Sequence, residues 1–128
     1  MTILYLDTSA TVKLLVEEAE SAALAQHLDR PDVEPVACLL LETELRRFTV
    51  RHGLPQADAT HILDAVSLYD MPRSLYYEAG IRPGRHLRSL DGLHLGAAVR
   101  LGADAVATYD LRMQDAATEL GLAVLALT

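Results

Sequence analysis

Three short runs, Ile3 to Leu6, Ala103 to Ala107 and Leu122 to Leu127, are almost free of polar side chains. A strand with one wet face alternates apolar and polar residues, whereas a near-continuous apolar run must be covered on both faces. Elsewhere the apolar spacing changes to three and four: Val12, Leu15 and Val16; Leu41, Leu45 and Phe48; Ile62, Leu63 and Val66. That spacing makes one helical face. The sequence therefore predicts strands at Ile3–Leu6, about Glu34–Cys38, Ser67–Asp70, Ala103–Thr108 and Leu122–Leu127. Helices are expected from Ala10, over Ser21–Leu28, through Leu41–His52, over Gln56–Val66, around Leu75–Ala79, and over Leu90–Leu101 and Leu111–Leu120. Strands alternating with helices imply the α/β class, with a mostly parallel central sheet of about four to five strands flanked by helices on both faces.

At 128 residues the chain is expected to form one domain with a real core. Its 51% hydrophobic content excludes a disordered chain and its 23% charged content excludes a membrane bundle. No apolar stretch approaches the roughly 20 residues of a spanning helix. The start, Met-Thr-Ile-Leu-Tyr-Leu-Asp, reads as a strand rather than a signal peptide, and a cytoplasmic location is expected. Cys38 has no partner for an internal disulfide and reads as a buried thiol.

Open parallel sheets put functional residues at the carboxyl ends of their strands. Asp7 directly follows the first strand and Asp110 follows the Ala103–Thr108 strand, so one pocket can receive both. Asp91 stands at a helix start, where it can approach the same edge, and Glu44 lies within a helix. Each acid also has an ordinary structural explanation. Asp7, Asp91 and Asp110 can cap helices; Glu44 can pair with Arg47, as Glu42 can with Arg46. Glu42 and Glu44 lie about 200° apart on a helix, so only one can face a shared site, and periodicity does not choose between them. Asp115 and His94 read as a solvated side chain and a packed helix histidine. His27, His52, His61 and His86 lack zinc-ligand spacing. The tyrosines Tyr5, Tyr76, Tyr77 and Tyr109 read as packing residues, with base stacking as the alternative.

The net charge of −7 disfavours a nucleic-acid partner, but its distribution does not. Between Gly80 and Arg100 four arginines face one aspartate, a local +3 that leaves −10 elsewhere. Ten of the eleven basic residues are arginine, the side chain that grips phosphate with two parallel hydrogen bonds. A basic loop beside an acidic pocket suits the cutting of a polyanion.

The segments around the acids carry a resemblance. Leu6-Asp7-Thr8-Ser9-Ala10 with Leu14-Leu15, Glu44-Leu45-Arg46-Arg47, Leu90-Asp91-Gly92-Leu93-His94-Leu95, and Thr108-Tyr109-Asp110 with Ala116-Ala117 and Gly121 follow the order and spacing of PIN-domain ribonucleases. Within that superfamily the chain resembles the VapC toxins of bacterial toxin–antitoxin pairs. Gly92 departs from the pattern, which more often has Ala there. The resemblance implies a PIN-like fold and one acidic pocket formed by Asp7, Glu44, Asp91 and Asp110. Asp7, Asp91 and Asp110 would bind Mg²⁺ or Mn²⁺, and Glu44 would hold or polarise a metal-bound water. Thr8, Ser9 and Thr108 are candidates to support these groups by hydrogen bonds. The implied reaction is endonucleolytic RNA hydrolysis leaving 3′-hydroxyl and 5′-phosphate ends, with transfer or ribosomal RNA as expected targets. The implied partners are a VapB-type antitoxin, seated in an apolar groove near the first helices and Leu41–Phe48, and a second copy of the chain. The resemblance also implies a larger complex with the antitoxin; no membrane partner is expected. Two other readings stay open: an aspartyl-type phosphohydrolase, which would want a second Asp where Ser9 stands, and a non-catalytic PIN-like binding module.

Overall fold

The computed structural model describes the whole chain, Met1–Thr128. The elements run β1 (Thr2–Leu6), α1 (Thr8–Leu15), α2 (Ser21–Leu28), β2 (Val33–Cys38), α3 (Leu40–Arg51) and α4 (Gln56–Asp64). They continue with β3 (Ser67–Tyr69), α5 (Arg73–Ile81), α6 (Ser89–Arg100), β4 (Ala105–Ala107), α7 (Leu111–Glu119) and β5 (Ala123–Leu125). All strand pairs are parallel and the sheet order is β3-β2-β1-β4-β5. No helix is long and apolar enough to cross a membrane.

The strand order turns back at β1, with β2 on one side and β4 on the other. At such a switch point the following connections leave on opposite faces, and a crevice opens at the carboxyl ends of the two strands. The register pairs Leu6 with Ala107, and the Asp7 amide donates to the Ala107 carbonyl. The next residues, Asp7 and Thr108, therefore meet at the lip of that crevice. The apolar runs form the core beneath it: Leu4, Tyr5, Leu6, Val106 and Ala107 have no exposed surface.

Helix α3 buries Leu41, Leu45 and Thr49, so the expected inward line through Phe48 is shifted by one residue. Phe48 instead lies half-buried and stacks on His52, with ring centroids 3.9 Å apart. Helix α6 buries Gly92, Gly96, Ala97 and Ala98, whose small size lets it lie close against its neighbours. At Gly96 an added methyl would stand 2.6 Å from Leu75 Cδ1, whereas at Gly92 its nearest neighbour is 3.5 Å away, at the Ala79 carbonyl. Gly92→Ala should therefore gain up to about 1 kcal/mol from helix propensity. Gly96→Ala must displace Leu75 and should lose part or all of that gain. Urea unfolding of the two variants checks this; equal midpoints would contradict the close α5–α6 approach.

Candidate active site

Asp7 ends β1 and caps α1, and its carboxylate is saturated with donors. Oδ1 accepts from the Ala10 amide at 3.0 Å and from Ser9 Oγ at 2.7 Å. Oδ2 accepts from Thr108 Oγ1 at 2.5 Å. The side chain is 5% exposed, and burial raises its pKa despite the lowering by Thr108, Ser9 and Ala10. Thr108 ties this group to the next acid, because its hydroxyl also accepts from the Asp110 amide at 3.2 Å. Ser9 closes the loop by accepting from the Tyr109 amide at 2.9 Å. Asp110 in turn caps α7, taking the Arg112 amide at 2.9 Å.

Asp91 lies in the first turn of α6 and is half-buried. Its pKa is raised by burial and by the charges of Asp110 and Asp7, against the lowering by Arg88 and His94. The fold thus ties Asp7 and Asp110 together through Thr108 at the switch-point crevice, with Asp91 near enough to feel their charge.

Glu44 joins them from α3. Its Oε1 accepts from Thr8 Oγ1 at 2.8 Å and from His94 Nε2 at 2.5 Å. Burial pushes Glu44 up, but His94 and Thr8 together hold its pKa below the usual value. Glu42, on the other side of the helix, pairs with Arg46 instead. The choice between the two glutamates is made by packing of α3 against α1 and by the hydrogen bond from His94 of α6.

His94 is packed within its helix as expected, but its partners were not anticipated. Its neighbours Leu93 and Leu95 pointed to simple packing; in the structure it is 2% exposed and fully engaged. Beyond Glu44, its Nδ1 lies 2.7 Å from Tyr5 Oη and 3.9 Å from Cys38 Sγ. The Cys38 amide donates to Tyr5 Oη at 3.2 Å, and that hydroxyl donates to Cys38 Sγ at 3.2 Å. This pattern leaves both ring nitrogens of His94 donating, as in a charged imidazolium. Burial opposes the charge, yet contacts with Cys38 and Glu44 raise the His94 pKa to about 9. The signal available beforehand was its position three residues after Asp91, one turn along the helix.

The basic segment divides in two. Arg100 turns away from the crevice and binds Glu78 Oε2 at 2.6 Å and Ser74 Oγ at 2.8 Å, joining α6 to α5. Arg82 is half-buried against Glu78. Arg85 and Arg88 are exposed and form no ion pair, and Arg88 is near enough to Asp91 to lower its pKa.

No three acidic, histidine or cysteine side chains are drawn close enough together to enclose an ion. Asp7 spends its oxygens on neutral donors, while Asp91 feels the charges of Asp110 and Asp7, partly offset by Arg88 and His94. A hydrated divalent cation held by one or two carboxylates does not need such an enclosure.

Comparison with known proteins agrees with this architecture. The family model for the PIN domain matches residues 4–119. The chain is 40% identical over 129 residues to the ribonuclease VapC46 of Mycobacterium tuberculosis, covering 98% of each chain. It is 38% identical over 133 residues to the ribonuclease VapC35 of the same organism, covering 97% of this chain and 96% of the relative. Among solved structures, a toxin–antitoxin complex from Klebsiella pneumoniae superposes with a TM-score of 0.71 at 13% identity, over 96% of each chain.

Proposed function

The chain belongs to the PIN-domain family, within it to the VapC ribonucleases, and on that premise we propose that it is a metal-dependent endoribonuclease, the toxin of a VapBC-type pair. The metal-dependent part is supported by the charge coupling of Asp91 to Asp110 and Asp7, with Asp7 and Asp110 tied together through Thr108. Asp7, Asp91 and Asp110 would hold Mg²⁺ or Mn²⁺, and such an ion, when bound, activates water and neutralises charge on the phosphate.

The chain's own residues supply the rest. Glu44, whose pKa His94 and Thr8 hold down, would hold or polarise a metal-bound water. Thr108 and Ser9 hold Asp7 and the Asp110 backbone in register, so the acids cannot separate without breaking the lip of the sheet. Arg85 and Arg88 bind the phosphates on either side of the cut bond. The partner is a VapB-type antitoxin, a reading supported by the likeness to a solved toxin–antitoxin complex.

The decisive measurement is RNA cleavage by the purified chain with Mg²⁺ or Mn²⁺ and with a chelator. Cleavage should require the cation, and Mn²⁺ should raise the unfolding midpoint of the wild type but not of Asp91→Asn. Phosphate release from small phosphoesters without RNA cutting would overturn the reading in favour of a phosphohydrolase.

A further inference from the structure

A cavity of about 590 Å³ lies between the arginine loop and α7. It is separate from the acids but aligned with them. Leu95 stands one helical turn, roughly 6 Å, beyond Asp91 on α6, and Asp115 stands roughly 7.5 Å beyond Asp110 along α7. The two helices that carry the acids therefore continue as two walls of this cavity.

Its lining combines three chemistries. Leu87, Ala116 and Leu120 provide an apolar surface, backed by fully buried Leu95. Arg82, Arg85 and Arg112 bring guanidinium groups, of which Arg85 and Arg112 have no ion pair. Asp115 and Glu119 offer exposed carboxylates with no cation bound to them. One wall also holds an unmet demand: Arg82 Nε is buried and has no hydrogen-bond partner.

A volume in this range suits a drug-sized or nucleotide-sized ligand. Apolar surface stacks a base, arginines meet its phosphates, and a carboxylate accepts from N–H groups on its edge. Guanine alone presents an imino and an amino donor side by side, matching the two oxygens of one carboxylate. We propose that this cavity is a subsite for one base of the RNA, guanine by preference, next to the bond cut at Asp7, Asp91 and Asp110. The proposal rests on the ribonuclease reading above. Asp115 reads the base, being closer than Glu119 to the acid-bearing end of α7. Arg112 and Arg85 bind its phosphates, and Ala116 leaves room for the ring.

Cut sites in a random single-stranded RNA library, mapped by sequencing, test this. The wild type should prefer guanine at one position beside the cut. Asp115→Asn should relax that preference about tenfold or more, and Ala116→Phe should abolish it by filling the space. Arg85→Ala and Arg112→Ala should slow cleavage of all sequences alike. Unchanged preference in the isosteric Asp115→Asn variant, at an unchanged unfolding midpoint, would overturn the proposal. So would pocket variants that escape inhibition by the antitoxin yet keep wild-type cutting, since the cavity would then seat protein. A second arm is independent of cleavage: amide shifts of the Asp7→Asn chain on titration with GMP, CMP and UMP. Shifts at Asp115 and Ala116 strongest with GMP support the subsite; shifts absent or equal for all three overturn it. If the wild type cuts no RNA, the ribonuclease reading fails, and the titration still decides the pocket.

Discussion

Asp7→Asn is expected to reduce cation-supported RNA cleavage at least about 1,000-fold, or roughly 4 kcal/mol of barrier, with little loss of fold. The asymmetry follows from the contacts. Asparagine can keep its oxygen toward the Ala10 amide and Ser9 Oγ and turn its amide toward Thr108 Oγ1, which is able to accept as well as donate. What it cannot supply is the negative charge. The structural cost should therefore stay near 1 kcal/mol, the value of a weakened cap. Single-turnover cleavage and thermal unfolding, measured on the same preparation, separate the two effects. Cleavage within tenfold of wild type would remove Asp7 from the site.

His94 should show the largest combined effect. His94→Ala opens a hole at a position 2% exposed and strips a donor from both Glu44 and Tyr5, so a loss of about 2–4 kcal/mol is expected. His94→Gln keeps most of the volume but no charge, and its effect is best read against pH. The groups facing the ring are Glu44, Tyr5 and Cys38, with Asp7 and Asp91 near enough to feel its charge. The His94 pKa rises from 6.5 to about 9 on folding. A raised folded pKa means that the folded chain binds the extra proton. The resulting stabilisation, on the order of 3 kcal/mol, is complete below about pH 6.5 and disappears as pH rises through about 9. Glu44 has the opposite sign: its lowered pKa stabilises above the ordinary carboxylate range and is lost on acidification. The wild-type unfolding midpoint should thus fall from pH 6.5 to 9.5, while that of His94→Gln stays flatter. Parallel profiles would show that His94 is neutral in the fold. His94→Gln should also cleave more slowly, since Glu44 loses the cation that keeps it ionised and in place.

These two residues mark different limits of what a sequence carries. Asp7 was legible because its position is local information: an apolar run ends, a helix pattern begins, and an acid stands between. The same local logic placed Asp110, both as a cap and at the end of a strand, and the alternation of patterns gave the α/β class without any long-range knowledge. Ser21–Leu28 was located to the residue because Asp29-Arg30-Pro31 breaks the helix chemically. His94 was not legible, because apolar neighbours describe how buried a residue is and not what it meets. Its partners, Glu44, Cys38 and Tyr5, are 50, 56 and 89 positions away.

By itself, then, the sequence determined the alternation of strands and helices, the carboxylates at two strand ends and the family, since all three rest on neighbouring residues and their order. Only the tertiary structure decided that β1 and β4 lie side by side at the switch point, that Glu44 meets Thr8 and His94 while Glu42 pairs with Arg46, that Arg100 leaves the basic segment to join α5, and that a cavity lies along α7. A period of 3.6 or 2 assigns a side chain to a face. It does not say which face of which other element will lie opposite, because that is set by packing between segments far apart in the chain.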